Sequence, residues 1–207
     1  MSRSRFPTHH LHRLTAVAML AALFYALSLF SVDLGFIKFT VAPLAILIAA
    51  MLFGPVDGMI VGLIGAFLEQ WIKYGFSVTM PLWILPAVAR GLVAGLLALL
   101  LHRLLRKVGK ERITRLNEST VYFTVGVIAI SMLSALVVTA LNTIALYVDF
   151  KVFGWSDENP LLWTYLSARI VSGIITSAIL GLATPLLLIP LAKLFERLRK
   201  PCLWTEQ

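Results

Sequence analysis

Long apolar runs separated by short polar segments dominate the pattern of the chain. Leu14 to Phe30, Val41 to Phe53 and Leu92 to Leu101 are nearly continuous, unlike surface helices of soluble proteins, which have a polar face. A soluble core of this size could not bury all of these runs, whereas a bilayer accepts them as helices of about 20 residues. The pattern predicts an all-α integral membrane protein, a single membrane domain of residues 1–207 containing a bundle of six transmembrane helices near 14–32, 39–53, 56–72, 81–101, 120–147 and 162–194.

The connections between these spans differ in character. Gly54-Pro55-Val56-Asp57-Gly58 has the glycines and the proline of a tight turn, so the second and third spans should form an antiparallel hairpin. Pro43 lies near the start of the second span, where the first turn of a helix tolerates proline. The polar, basic segment 102–119 predicts a cytosolic loop, and the loops 33–38 and 73–80 on the other side are short enough to act as lids.

Lysines and arginines outside the spans are distributed unequally between the two sides of the predicted bundle. Thirteen lie on one side, and three, Lys38, Lys73 and Lys151, lie on the other. Positively charged loops are retained on the cytosolic side of a membrane. We therefore expect a multi-pass protein of the cell membrane with both the N and C termini in the cytosol, which requires an even number of spans.

The overall composition agrees with lipid as the solvent. Of 207 residues, 59% are hydrophobic and 14% are charged, whereas a soluble domain carries about a quarter charged residues. The net charge of +8 comes from basic clusters beside the spans that lack interleaved aromatic residues and a nucleic-acid fold signature, so no nucleic-acid partner is expected. The single cysteine, Cys202, excludes a disulfide framework and a cysteine metal site.

Four polar side chains interrupt the apolar runs: Glu69, Arg90, Asn142 and Arg169. A charged side chain at membrane depth costs at least a few kcal/mol, so such residues are rare unless they are paired or face a cavity. Counting about 1.5 Å per residue from the predicted span ends places all four in the outer half of the bilayer. This one-sided distribution predicts an outward-opening pocket for a small polar molecule, with all four as candidate substrate-binding residues.

The two arginines determine the chemistry of this predicted pocket. A guanidinium offers paired donors that match a carboxylate, so Arg90 and Arg169 would bind an anion. Glu69 would accept a hydrogen bond from the ligand or neutralise one arginine; alternatively, it pairs with an arginine only to hold helices together. Trp83 and Trp163 lie within two turns of an arginine on their own spans and would cover the ligand, unless they belong to the aromatic belt of the membrane interface.

Common catalytic and nucleotide-binding motifs are missing from the chain. There is no G-x-x-x-x-G-K-[ST] phosphate loop, no H-E-x-x-H and no G-x-S-x-G, so we expect neither an enzyme nor a cofactor or metal. The chain is also small for a self-sufficient secondary transporter, which typically contains inverted repeats. A binding protein without its own energy-coupling machinery is favoured. The alternatives are a standalone secondary transporter or channel, and a membrane enzyme that uses Glu69.

Small residues recur at intervals of four on three spans. Ala18, Ala22 and Ala26 form a row on the first span, and Gly58-x-x-x-Gly62 and Gly91-x-x-x-Gly95 repeat the spacing on the third and fourth. In lipid, such residues let helix backbones approach closely. Most motifs of this kind pack within one protein, but the alanine row could instead be a docking face for another membrane protein.

Three short motifs in this order and spacing resemble a known family. They are Arg13-Leu-Thr-Ala-Val-Ala18-Met-Leu-Ala-Ala22, Met51-Leu-Phe-Gly-Pro-Val-Asp-Gly-Met-Ile-Val-Gly62 and Pro86-Ala-Val-Ala-Arg-Gly-Leu-Val-Ala-Gly95. The chain is similar to the S components of energy-coupling factor (ECF) vitamin transporters, which are their substrate-binding subunits. The first motif resembles the alanine motif on the first helix of that family.

The resemblance implies a six-helix protein that binds a vitamin or related micronutrient with high affinity. Through Ala18, Ala22 and their neighbours it would associate with a transmembrane coupling subunit and two ATPase subunits, which supply the ATP hydrolysis. S components are thought to topple within the membrane and release their substrate inward. The Arg90-Gly91 region looks most like the folate-type branch, so the resemblance implies an anionic, folate- or pantothenate-like substrate.

Overall fold

Six α-helices account for most of the residues that the computed structural model describes, which are 8–33, 38–107, 118–152, 161–197 and 203. The helices are α1 (Thr8–Leu29), α2 (Pro43–Phe53), α3 (Pro55–Tyr74), α4 (Met80–Lys107), α5 (Glu118–Val152) and α6 (Leu161–Arg197). Two strands of two residues each, β1 (Val32–Asp33) and β2 (Lys38–Phe39), pair antiparallel between α1 and α2, with Val32 opposite Phe39. Within these residues the all-α prediction is confirmed except for this short pairing.

Four of the described helices are long and apolar enough to cross a membrane, in the stretches Pro55–Tyr74, Met80–Leu105, Val121–Asp149 and Ile170–Leu194. The apolar parts of α1 and α2, Arg13–Leu29 and Pro43–Phe53, are shorter. The 11 residues of α2 extend over about 16 Å, roughly half of the hydrocarbon core. The second predicted span is therefore a short helix that does not cross a bilayer by itself.

The helix ends differ from the predicted spans where local chemistry sets them. α2 begins at Pro43 rather than at residue 39, because proline suits a first helical position and residues 38 and 39 pair with β1. α4 runs to Lys107, six residues into the predicted loop 102–119. Those residues include good helix formers, which stay helical without lipid around them.

The short helix α2 occupies the middle of the bundle. All residues from Pro43 to Leu52 are buried, and α2 contacts α1, α3, α4 and α6. Its sequence is apolar on every side, which suits a helix enclosed by other elements. α2 contributes to two core clusters, one shared with α4, α5 and α6, and one shared with α1, α3 and the first part of α4.

A single glycine connects α2 to α3. Gly54 has a φ of 107°, a backbone conformation that favours glycine, and Pro55 begins α3 directly after it. Pro55 also packs closely against Gly95 of α4. The predicted antiparallel hairpin of the second and third spans is confirmed.

Glycines bring α3 and α4 into direct backbone contact. Gly58 faces the backbone of Gly91, and a Cβ on Gly62 would lie 2.6 Å from the carbonyl oxygen of Ala87. Real Cβ atoms do not approach other atoms so closely, so only glycine fits at these positions at this separation of the helices. The glycine motifs of the third and fourth spans therefore serve packing within the chain.

The beginning of α1 and residue 203 both lie at the α2–α3 turn. The backbone N–H of Leu203 donates to the carbonyl oxygen of Leu52 at 2.7 Å. Arg13 donates from Nε to Oδ2 of Asp57 at 2.5 Å and from Nη2 to the carbonyl oxygen of Phe53 at 3.1 Å. The chain thus starts and ends its helical bundle on one side, which we name the turn end; the other side is the opposite end.

Replacing Gly91 with alanine should destabilise the protein, because the added methyl group would collide with the backbone of Gly58. We expect a loss of about 1–3 kcal/mol in the free energy of unfolding, measured by denaturation in detergent. Gly181→Ala is the matched control, because the nearest atom there is Cγ of the flexible Met132 side chain, at 3.3 Å. An equal loss in both variants would contradict the close contact of α3 with α4.

Candidate functional site

Arg90 is a buried cation in the middle of α4. The residue is 6% exposed, and its Nε and Nη1 atoms are buried without a hydrogen-bond partner in the part of the chain that the structure describes. Nearly all buried polar groups in proteins are paired, and leaving one unpaired costs about 1–3 kcal/mol, or more for a charged group. Two nitrogen atoms of the guanidinium thus lack an acceptor among the described residues, which keeps Arg90 a candidate for binding an anion.

The direction of Arg90 follows from the glycine contact beside it. Gly91 faces α3, so Arg90, one residue earlier, points about 100° away from that contact. Leu101 lies on nearly the same side of α4, eleven residues later, and packs against Gly126 of α5. Arg90 is therefore on the side of α4 that faces α5, and Trp83 lies two turns earlier, beyond Pro86.

Glu69 and Arg90 lie at different heights in the bundle. Gly62 of α3 contacts Ala87 of α4. Glu69 lies seven residues from Gly62 toward the opposite end of the bundle, and Arg90 lies three residues from Ala87 toward the turn end. Together these ten residues correspond to about 15 Å along the helix axes. The ion pair that Glu69 makes among the described residues is with Lys73, and contact of Glu69 with a ligand stays a prediction.

Glu69 belongs to a polar cluster that joins α3 to the end of α1. Its Oε1 lies 3.3 Å from Nζ of Lys73, one helical turn later. Lys73 also donates to the carbonyl oxygen of Ser28 at 2.5 Å and to Oγ of Ser31 at 3.2 Å. In the sequence, only the i,i+4 spacing of Glu69 and Lys73 indicates this cluster, because nothing in the chain pattern brings the end of α1 to it.

Two close contacts set the height of Arg90 relative to α5 and α6. Leu101 of α4 packs against Gly126 of α5, and Gly173 of α6 approaches the side chain of Thr139 of α5. Counting along these antiparallel helices, Arg90 is level with about residue 137 of α5 and about residue 175 of α6.

The other candidates on α4, α5 and α6 lie nearer to the opposite end than Arg90. Asn142 is about 8 Å and Trp83 about 10 Å from the level of Arg90, and both are half-buried. Backbone position 169 of α6 has about the same height as Asn142. The side chains of Arg169 and Trp163 lie outside the described residues, so their roles stay predictions. The helix register thus gathers three candidate positions in one layer, with Arg90 closer to the turn end.

Buried hydroxyl groups on α5 and α6 have their protons engaged within their own helices. Ser131, Ser134, Ser177 and Thr184 each donate to a carbonyl oxygen about one turn earlier, at 2.6–2.9 Å. Such back-bonding is the usual solution for hydroxyl groups in an apolar surrounding. Within the described ranges, the buried side-chain donors without a partner are those of Arg90.

The alanine row of α1 lies on the outside of the bundle. Ala18, Ala22 and Ala26 are exposed, whereas Val17 and Ala21 are buried in the core cluster shared with α2 and α3. The row therefore does not pack within the chain, in contrast to the glycines of α3 and α4.

The described helices form an apolar bundle that encloses a guanidinium with two nitrogen atoms lacking a partner in the same ranges. The chain matches the family described as "ECF transporter, substrate-specific component" over residues 12–188. It therefore belongs to this family of ECF transporters, whose members are substrate-binding transporter subunits and not enzymes. Together with the apolar helices, this membership indicates a multi-pass protein of the plasma membrane.

Comparison with solved structures supports the fold. The chain is similar to the S component of a bacterial ECF transporter, with a TM-score of 0.58 and 21% sequence identity, over 91% of this chain and 99% of that one. A search of curated proteins gave no match. The family resemblance inferred from the three motifs is confirmed.

Replacing Arg90 with methionine should stabilise the ligand-free protein, because it removes an unpaired buried charge and keeps much of the side-chain volume. We expect a gain of about 1–3 kcal/mol in the free energy of unfolding, measured by denaturation in detergent without added solutes. Arg13→Met is the matched control. It should lower the free energy of unfolding, because it leaves the buried carboxylate of Asp57 without this cation. Destabilisation by both variants would indicate that Arg90 is paired in the protein.

Proposed function

We propose that the protein binds a small anionic micronutrient inside the bilayer and delivers it to an ATP-driven ECF uptake transporter. The observation that supports this proposal most strongly is the buried guanidinium of Arg90, with Nε and Nη1 unpartnered among the described residues. A carboxylate would provide acceptors for these donors, and such charge-assisted bonds are about twice as strong as neutral ones. Folate- and pantothenate-like compounds carry this group.

The proposed substrate site lies between α4, α5 and α6. Arg90 binds the acid group of the substrate, and Trp83 and Asn142 contact the part that lies nearer to the opposite end. Arg169 and Trp163 on α6 complete the site. This arrangement is supported by the register of the three helices, which gathers the backbone positions of Trp83, Asn142 and residue 169 at similar heights.

The entrance to this site is at the opposite end of the bundle. Glu69 is located there, in its cluster with Lys73, and is a further candidate for contact with the entering substrate. Residues 75–79 connect α3 to α4 at the same end and are short enough to act as a lid over the entrance.

The turn end is the cytosolic end in this proposal, so both termini are cytosolic. Arg13 lies at this end, and the exposed Arg103 and Lys107 lie near the end of α4 that points the same way. The excess of lysine and arginine on this side supports the assignment, because positively charged segments stay in the cytosol. The substrate would therefore enter from outside the cell.

The alanine row of α1 is the proposed docking face for a transmembrane coupling subunit, which carries two ATPase subunits. Ala18, Ala22 and Ala26 are exposed, and small side chains let a helix of another protein approach closely in lipid. Membership of the substrate-specific component family supports the existence of such partners.

The substrate proposal is tested by identifying the small molecule that the protein retains after purification in mild detergent, by mass spectrometry. Radiolabelled folate and pantothenate are the first probes for direct binding. Arg90→Gln should weaken binding of the retained carboxylate by about tenfold or more, because it removes a charge-assisted bond. Arg103→Gln, an exposed arginine of the same helix, is the control and should bind normally. A neutral or cationic retained molecule, or normal binding by Arg90→Gln, would contradict the proposal.

The docking proposal predicts that Ala18→Trp prevents assembly without affecting substrate binding, because the indole would hold the partner helix away. Complexes with the co-expressed coupling subunit and ATPases are quantified after purification. Ala178→Trp, at another exposed alanine on α6, is the control and should assemble normally. Uptake into liposomes by the chain alone would instead indicate a standalone transporter.

A further inference from the structure

α1 contacts the rest of the bundle along one narrow stripe of side chains. Between Leu14 and Phe30, the buried residues are Val17, Ala21, Phe24 and Ser28, and most of the others are exposed. Phe24 lies directly on Gly65 of α3, where an added Cβ would be 2.5 Å from its ring. Because lipid offers α1 no hydrophobic gain from packing on its neighbours, its rotation depends on this narrow stripe, bordered by Leu20 and Leu27, and on its polar attachments.

At the turn end, α1 is held by a buried carboxylate. Nε of Arg13 donates to Oδ2 of Asp57 at 2.5 Å, and its Nη2 donates to the carbonyl oxygen of Phe53. Asp57 is 6% exposed, whereas the Arg13 side chain is 48% exposed. Asp57 lies in the first turn of α3, where the helix dipole stabilises a negative charge.

At the opposite end, α1 is held by Lys73 of α3. Its Nζ donates to the carbonyl oxygen of Ser28, in the last turn of α1, and to Oγ of Ser31 just beyond the helix. Carbonyl groups in the last turn of a helix have no partner within the helix, so Lys73 satisfies one of them.

The two polar attachments have matching spacings on parallel helices. Arg13 and Ser28 are 15 residues apart on α1, and Asp57 and Lys73 are 16 apart on α3, which corresponds to about 23 Å in each helix. A helix attached at both ends to one neighbour cannot slide, and it cannot rotate without breaking an attachment. A shift by one residue would turn the exposed face of α1 by about 100°.

We infer that the Arg13–Asp57 pair and the Lys73 cluster hold α1 in the rotation that presents Ala18, Ala22 and Ala26 to the coupling subunit. Asp57 and Lys73 are thus positioning residues for assembly of the transporter, although neither belongs to the docking face. This inference rests on the proposed docking role of the alanine row.

Asp57→Asn is the sharpest test, because it removes the buried charge and keeps its shape. The released Arg13 is half exposed and can remain hydrated, so the fold should survive. Replacing Arg13 instead would leave the carboxylate of Asp57 buried without this cation. Asp149→Asn on α5, at the opposite end and away from α1, is the matched control for loss of one acidic charge.

The measurement is the amount of co-expressed coupling subunit and ATPases that purifies with each variant, together with the unfolding temperature of the variant alone. We expect Asp57→Asn to reduce assembly about tenfold, as for loss of a charge-assisted bond, with an unfolding temperature close to that of Asp149→Asn. Lys73→Met should reduce assembly similarly, with a lower unfolding temperature because the buried Glu69 loses this cation. Asp57→Glu keeps the negative charge within reach of Arg13 and should restore most of the assembly.

The results separate this inference from the docking proposal. Loss of assembly in Ala18→Trp but normal assembly in Asp57→Asn and Lys73→Met would overturn the inference and leave the docking face intact. Normal assembly in Ala18→Trp would overturn the docking face itself. A large fall in the unfolding temperature of Asp57→Asn would also overturn the inference, because the Arg13–Asp57 pair would then support the whole fold rather than the rotation of α1.

Discussion

The backbone contact of α3 with α4 at Gly58 and Gly91 is the constraint on which the rest of the structure depends. Helices in lipid gain nothing from hiding apolar surface from each other, so they associate where their shapes allow close approach. Here Gly58 and Gly91 permit the close approach because neither has a side chain, and no larger residue fits at these two positions. This contact fixes the height of α4 against α3, and it directs the neighbouring Arg90 toward α5.

Under the proposed function, the burial of Arg90 is a compromise between stability and binding. An apolar side chain at this position would suit the ligand-free bundle better, since two guanidinium nitrogen atoms are enclosed without acceptors among the described residues. Retaining such a group makes physical sense in a protein whose task is to hold an acceptor that arrives from elsewhere. The family to which the chain belongs consists of substrate-binding subunits.

The sequence was sufficient to predict the helices, the hairpin at Gly54 and the buried arginine, because apolar length, turn residues and isolated charges are local signals. It was not sufficient to predict the partner of Glu69 or the pairing of Arg13 with Asp57. Those contacts depend on the rotation and relative height of whole helices, which hydropathy leaves undetermined. The enclosure of α2 was missed for a similar reason, because an apolar run looks the same whether lipid or protein surrounds it.

The enclosure of α2 has a consequence for how the protein is made. Its 11 residues are too few to reach across the hydrocarbon core, and its buried side chains from Pro43 to Leu52 are covered only once the neighbouring helices are in place. During synthesis at the ribosome, α2 therefore has no stable position in the bilayer alone. It must enter together with α3, and its final surroundings arise only when α6, the last of the described helices, has left the translocation channel.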